Sequence, residues 1–146
     1  MNRIQAIKYT MAHRKALNSL ARQQGYYFPL HDVDKLILYV FFGKRLTGKL
    51  HRLYSRHHER KDRYGKLDIK NKIEAVFDWE CSRFTKKDKQ QTAYEYWLSA
   101  CPEVDLFQQF CMLGFLPKDK SPFDCWVEVN RAREHKYQLE HLAKTA

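Results

Sequence analysis

Apolar residues recur along this chain at intervals of three and four, the spacing of a helix that buries one side. Over residues 3–24 the positions Ile4, Ile7, Met11, Leu17, Leu20 and Ala21 follow that period, and Gly25 is placed to cap the helix. His13 falls mid-helix, on the face shared by Thr10, Leu17 and Leu20. After the connection Tyr26–Tyr27–Phe28–Pro29, a second helix is expected over about 30–42, stopped by Gly43, with Leu36, Ile37, Val40 and Phe41 buried. A third, about 47–60, carries the stripe Leu46, Leu50, Leu53 and Tyr54 and reaches His57 and His58 near its end.

A charged connection around Gly65 leads to a fourth helix, about 68–84, with Asp68 as its N-cap and Ile69, Ile73, Val76, Phe77 and Glu80 in register. Thr85 and Asp88 read as a capping box for a fifth helix, about 86–99, with Ala93, Tyr94, Trp97 and Leu98 inward. Pro102 opens a short sixth helix that ends at Gly114, and Ser121–Pro122 opens a last one carrying Trp126, Val129, Tyr137, Leu139 and Leu142. No strand-like alternation lasts more than a few residues. The pattern predicts a single all-α domain, 1–146, of six or seven helices, with a motif-bearing core at 1–100 and C-terminal helices at 101–146.

Composition agrees with that reading. Five Gly and four Pro are too few for the tight turns of an all-β fold, and a 44% hydrophobic content supplies a core. No apolar run approaches the ~20 residues that span a bilayer, and the N-terminus lacks a signal-peptide core, so a cytoplasmic protein is expected. Cys81, Cys101, Cys111 and Cys125 include no CxxC pair, which speaks against a four-cysteine zinc site and for buried, reduced thiols. The formal charge of +10 points to an anionic partner, whether nucleotide, nucleic acid or acidic surface.

The chemistry concentrates in residues that different helices must bring together. His31 and Asp32 are adjacent, directly after Pro29 and before an apolar run. Neighbouring His and Asp side chains diverge too far to bond well, yet both can reach one cation beside their turn, and together they suit a divalent first-row metal. Glu74 and Asp78, four apart, stand on one face of the fourth helix and repel unless a cation or basic group lies between them. Simpler roles exist for each: Asp32 as a helix N-cap, Asp34 as a first-turn acid, Glu74 and Asp78 paired with Lys70, Lys72 or Arg83 on a solvated face. Trp79, Trp97 and Trp126 fall within apolar spacing and are expected in the core. His51, His135 and His141 are expected at the surface.

With His13, His31–Asp32, His57–His58 and Asp78 on successive helices, the chain resembles the HD-domain superfamily of metal-dependent phosphohydrolases. The likeness is stronger still to a small HD-like family of bacterial and phage proteins. Those carry a first-helix His, a His-Asp-x-Ser-Lys-Phe segment, a helix ending in His, and a later Glu-x-x-x-Asp-Trp. The matching segments here run from His31 to Leu36 and from Glu74 to Trp79. Two departures stand out: Asp34 replaces the Ser, and the Asn-x-His-His segment expected after the third helix is absent.

The resemblance, covering about residues 8–97, implies an HD-like fold. It implies a divalent ion (Mn, Fe, Co, Ni, Zn or Mg) held by His13, His31, Asp32 and Asp78, with His57 or His58 as an added ligand. Hydrolysis at phosphorus would follow, with a nucleotide or related phosphate ester as substrate. Glu74 would orient the attacking water or act as general base, Lys35 would bind a phosphoryl oxygen, and Arg14, Arg56, Arg60, Lys61 and Arg63 would complement phosphates. Two other classes remain open. One is a nucleic-acid-binding module that uses the basic run 56–63 without catalysis. The other is a phage-type host-interaction protein whose aromatic-rich tail, 102–137, meets a partner.

Overall fold

The computed structural model describes residues 2–54, 69–85, 91–100 and 105–145. Seven helices are present among them: α1 (Arg3–Arg22), α2 (Val33–Phe41), α3 (Lys44–Tyr54), α4 (Ile69–Thr85), α5 (Ala93–Ala100), α6 (Phe107–Leu113) and α7 (Pro122–Thr145). No strand occurs among the described residues, and the all-α single domain expected from periodicity is the architecture found.

Local chemistry explains where the helices begin and end. Asn2 accepts from the Gln5 N–H while the Gln5 side chain accepts from the Asn2 N–H, a reciprocal cap that starts α1. Gly25 closes it in the left-handed region, with φ 82°. Gly114, at φ 74°, ends α6 as expected, and Ser121 Oγ accepts from the Asp124 N–H at the start of α7. The expected Thr85 cap is not what starts α5. Thr85 is the last residue of α4, and α5 begins at Ala93, where Thr92 Oγ1 accepts from the Glu95 N–H at 3.1 Å. Asp68 and Asp88, the other expected cap residues, lie outside the described residues, as does Pro102.

One hydrophobic core joins the two expected sections of the chain. Leu17 and Ala21 of α1 and Ile73, Val76 and Phe77 of α4 meet Trp97 of α5, Phe110 of α6 and Val129 of α7. Trp97 stacks flat on Phe110, ring centroids 4.6 Å apart and planes at 3°. Glu80, buried beside this core, accepts from the Ala93 N–H at 3.0 Å and so ties the start of α5 to α4.

Several expected core faces are rotated. The buried stripe of α1 is Ala6, Thr10, His13, Leu17 and Ala21, while Ile4 and Met11 face outward. In α2 only Tyr39 is buried; Ile37, Val40 and Phe41 are exposed. In α3, among the described side chains, Thr47 and His51 are buried and Leu46 is exposed. Trp79 and Trp97 are buried as expected, but Trp126 is half exposed and Cys111 is also exposed. α2 is short and mostly apolar, so its period left several equivalent faces; in α1 and α3 the inward face is the one that carries His13 and His51 into the polar cluster between α1, α2, α3 and α4.

Candidate metal centre

Four helices and one turn supply this cluster. α1 packs along both α2 and α4, and α2 packs against α3. The turn before α2 is held by α1. Asn18 Oδ1 accepts from the Phe28 N–H at 2.7 Å, and its amide donates to the Phe28 carbonyl at 3.0 Å. Arg14 donates to the carbonyls of Pro29 at 2.6 Å and of His31 at 2.7 Å. Arg14 was expected to bind phosphate; the structure instead uses its guanidinium to clasp the backbone that carries His31 and Asp32. Asn18 has no counterpart in the motif and was missed.

Asp32 stands at the N-cap position of α2, but its side chain makes no capping hydrogen bond. Its backbone is left-handed, φ 55°, the only such non-glycine among the described residues. That region is costly for most L-residues and least so for Asn and Asp. The strained turn points the carboxylate inward, where Asp32 is 3% exposed, rather than back along its own helix.

Around it the donors converge. His13 Nε2 lies 2.7 Å from Asp78 Oδ1. His31 Nε2 lies 3.4 Å from His13 Nε2, 3.4 Å from Asp32 Oδ2 and 3.4 Å from Asp78 Oδ1. The outer ring nitrogens are occupied: His31 Nδ1 is 2.9 Å from Glu74 Oε1, and His13 Nδ1 is 3.2 Å from Thr85 Oγ1. Both rings therefore present Nε2 to the same point. Glu74, expected to handle water, sits behind the His31 ring, on the nitrogen remote from His13. The solvated-face alternative for Glu74 and Asp78 is not what the structure shows, since both acids face imidazoles.

Lys35 extends its ammonium to within 3.1 Å of Asp32 Oδ2. His51 was expected at the surface and is instead 1% exposed, with Nε2 2.9 Å from Asp32 Oδ1 and Nδ1 2.6 Å from Asp34 Oδ2. The period of α3 concealed it, because His51 follows Leu50, the residue taken to mark the buried stripe. A sequence signal did exist: an Asp in place of Ser at position 34 calls for a partner. His57, His58, Arg56, Arg60, Lys61 and Arg63 lie outside the described residues.

Charge coupling is strong. Burial opposes protonation of His31, but its contacts with Asp78 and Glu74 outweigh that and push it up to about 10. For Asp32, burial favours the neutral acid, yet His51 and His31 hold it well below the usual carboxylate range. Burial also works against charging His51 and Lys35, and the adjacent carboxylates raise both above their ordinary values. Burial and the nearby Asp78 push the Cys81 thiol up to about 12, so it stays neutral beside His13 and is no thiolate ligand.

A pH dependence follows for the metal-free protein. His31 binds its proton more tightly folded than unfolded, so its contribution is complete below about pH 6.5 and is lost as pH rises toward 10. Asp32 contributes above about pH 4 and loses that contribution as pH falls further. With chelator present, the melting temperature is expected to decline between pH 7 and 10. A flat profile there would contradict the protonated His31.

Two groups of described residues can hold a cation: His13, His31 and Asp32, and Asp32, Asp34 and His51. The first fits well. Two donors bound ~2.1 Å from one ion at the tetrahedral angle lie about 3.4 Å apart, which is the spacing around His31 Nε2. The mixed imidazole and carboxylate set suits a divalent first-row ion, and Glu74 and Thr85 supply the outer hydrogen bonds that fix ring orientation at such centres. No protein-family model, no curated protein and no solved structure matches this chain. No helix among the described residues is long and apolar enough to cross a membrane.

Proposed function

We propose that this chain is a divalent-metal-dependent phosphohydrolase of the HD type, acting on a nucleotide or related phosphate ester. The observation that carries the reading is the meeting of His13, His31, Asp32 and Asp78, four residues from three parts of the sequence, with contacts of 2.7 to 3.4 Å. A bound ion would polarise a phosphoryl oxygen and bring the pKa of its water toward neutrality. The chain's own residues do the rest. His13 and His31 offer Nε2, Glu74 and Thr85 hold their rings, and Asp32 and Asp78 supply negative charge. Lys35, a quarter exposed at the side chain, has an ammonium that can pass from Asp32 to a substrate oxygen.

The test is direct. Purified protein is titrated with Mn²⁺, and phosphate release from a panel of nucleotides is followed with Mn²⁺, Co²⁺ or Mg²⁺. Binding of one of these ions with phosphate release from at least one ester is expected. Absence of both overturns the reading.

A second reading, nucleic-acid binding, draws support from the outer face of α1. That helix contains Arg3, Lys8, Arg14, Lys15 and Arg22 and no acidic residue. Lys8, Lys15 and Arg22 are exposed and seven apart, so they line one side at intervals of about 10.5 Å. Beside them is a shallow groove that includes Asn18 and Tyr27, and the Arg22 guanidinium lies 4.5 Å over the half-exposed Tyr27 ring. A cationic track with an aromatic platform is what single strands require. Binding of a mixed-sequence single strand is expected to weaken steeply with salt. Replacing Lys15 and Arg22 by Ala together should reduce the log–log slope by about 1.4. Salt-independent binding would count against this reading.

A further inference from the structure

We infer that His51, backed by Asp34, is the positioning residue that aims Asp32 at the cation; this rests on the cation reading above. Asp32 divides its two oxygens between different neighbours. Oδ2 faces His31 at 3.4 Å and Lys35 at 3.1 Å, whereas Oδ1 faces His51 Nε2 at 2.9 Å. Rotation of the carboxyl group would exchange the two oxygens, so whatever holds Oδ1 also fixes where Oδ2 points. The local backbone does not do this, because the left-handed turn at Asp32 carries its carboxylate away from the helix end it would otherwise cap. Restraint has to come from another element, and the group at hand is a fully buried imidazole on α3.

His51 is itself held from behind. Its Nδ1 lies 2.6 Å from Asp34 Oδ2, in the first turn of α2. A carboxylate can only accept, so the ring donates its Nδ1–H to Asp34, while Nε2 stands against Asp32 Oδ1 as a charge pair at 2.9 Å. Those nitrogens point in divergent directions, and each takes one acid. The ring thus stands between Asp32 and Asp34 rather than beside them, which makes the trio better suited to hold Asp32 than to grip an ion of its own. Asp34 is the residue that departs from the Ser of the family segment, and the partner explaining it is His51.

The experiment measures Mn²⁺ affinity, from the free-ion electron paramagnetic resonance signal, for the full chain and for Asp34→Asn, His51→Asn and His51→Gln, each checked for folding by circular dichroism. The amide nitrogen of Gln reaches close to where Nε2 was and that of Asn to where Nδ1 was. His51→Gln should therefore stay within a few-fold of the original affinity. His51→Asn and Asp34→Asn should lose about 10- to 100-fold, the usual effect of removing an outer partner at a metal site. A merely structural role would lower the melting temperature without separating Gln from Asn. Equal losses for Gln and Asn, or unchanged affinity in all three, overturn the inference while leaving the cation reading intact. No Mn²⁺ bound by the original chain overturns both. Should the His51 variants fail to fold, Asp34→Asn, a conservative change at a side chain 43% exposed, decides the matter alone.

Discussion

Asp32→Ala is expected to abolish measurable Mn²⁺ binding, with at least roughly a 100-fold loss of affinity, and to remove any phosphate release. The residue supplies a carboxylate 3.4 Å from His31 Nε2, and the other acid at that nitrogen, Asp78, comes from α4 and is also paired with His13 at 2.7 Å. The change should also destabilise the metal-free protein. Removing one partner of a buried ion pair leaves the other charge uncompensated, at a cost of about 3–5 kcal/mol. Here both His31 and His51 face Asp32. Asp32→Asn separates the two effects, because Asn keeps the volume and tolerates the left-handed backbone while losing the charge. Isothermal titration of both variants gives affinity, and melting in chelator gives stability. An Asp32→Asn protein that binds Mn²⁺ as tightly as the original would refute the ligand role.

The largest effect away from the cluster is expected at Trp97. Its side chain is 1% exposed and lies flat on Phe110, with Phe107 and Tyr94 at its edges. Truncation to Ala should cost about 3–5 kcal/mol, a large share of the stability of a domain this size. The melting temperature would then fall by roughly 10 °C. Trp97→Phe should be much milder than its lost volume suggests. The indole N–H is buried with no hydrogen-bond partner among the described residues, so replacing it by carbon removes an unmet donor. Chemical denaturation of both variants measures the difference, and a Trp97→Phe loss in full proportion to the volume removed would contradict the gain from the unmet donor.

Much of this was legible from residue order, and the exceptions share one cause. Helix existence followed from the apolar period. The meeting of His13, His31, Asp32 and Asp78 followed from side chains that have little reason to occur in this order unless they converge. Side-chain roles were harder to read. Arg14 carries a charge suited to phosphate, but its place on α1, within reach of the Pro29 and His31 carbonyls, gives it a structural task instead. Glu74 has the chemistry of a base, yet only the packing of α4 against the turn shows it behind His31. His51 escaped because apolar spacing ranks Leu50 as the inward residue. A buried imidazole is stabilised by its acidic partners, and those sit on another helix.

The two sides of α4 have a consequence of their own. Glu74 and Asp78 face the imidazoles, while Ile73 and Phe77, each one position earlier, lie in the apolar interior. A single inserted or deleted residue would turn everything beyond it by about 100°. It would swing the acids away from the histidines and drag the aromatic ring out of its socket in the same movement. Folding and ligation are thus written on one rigid rod, and neither can drift in evolution without the other registering it.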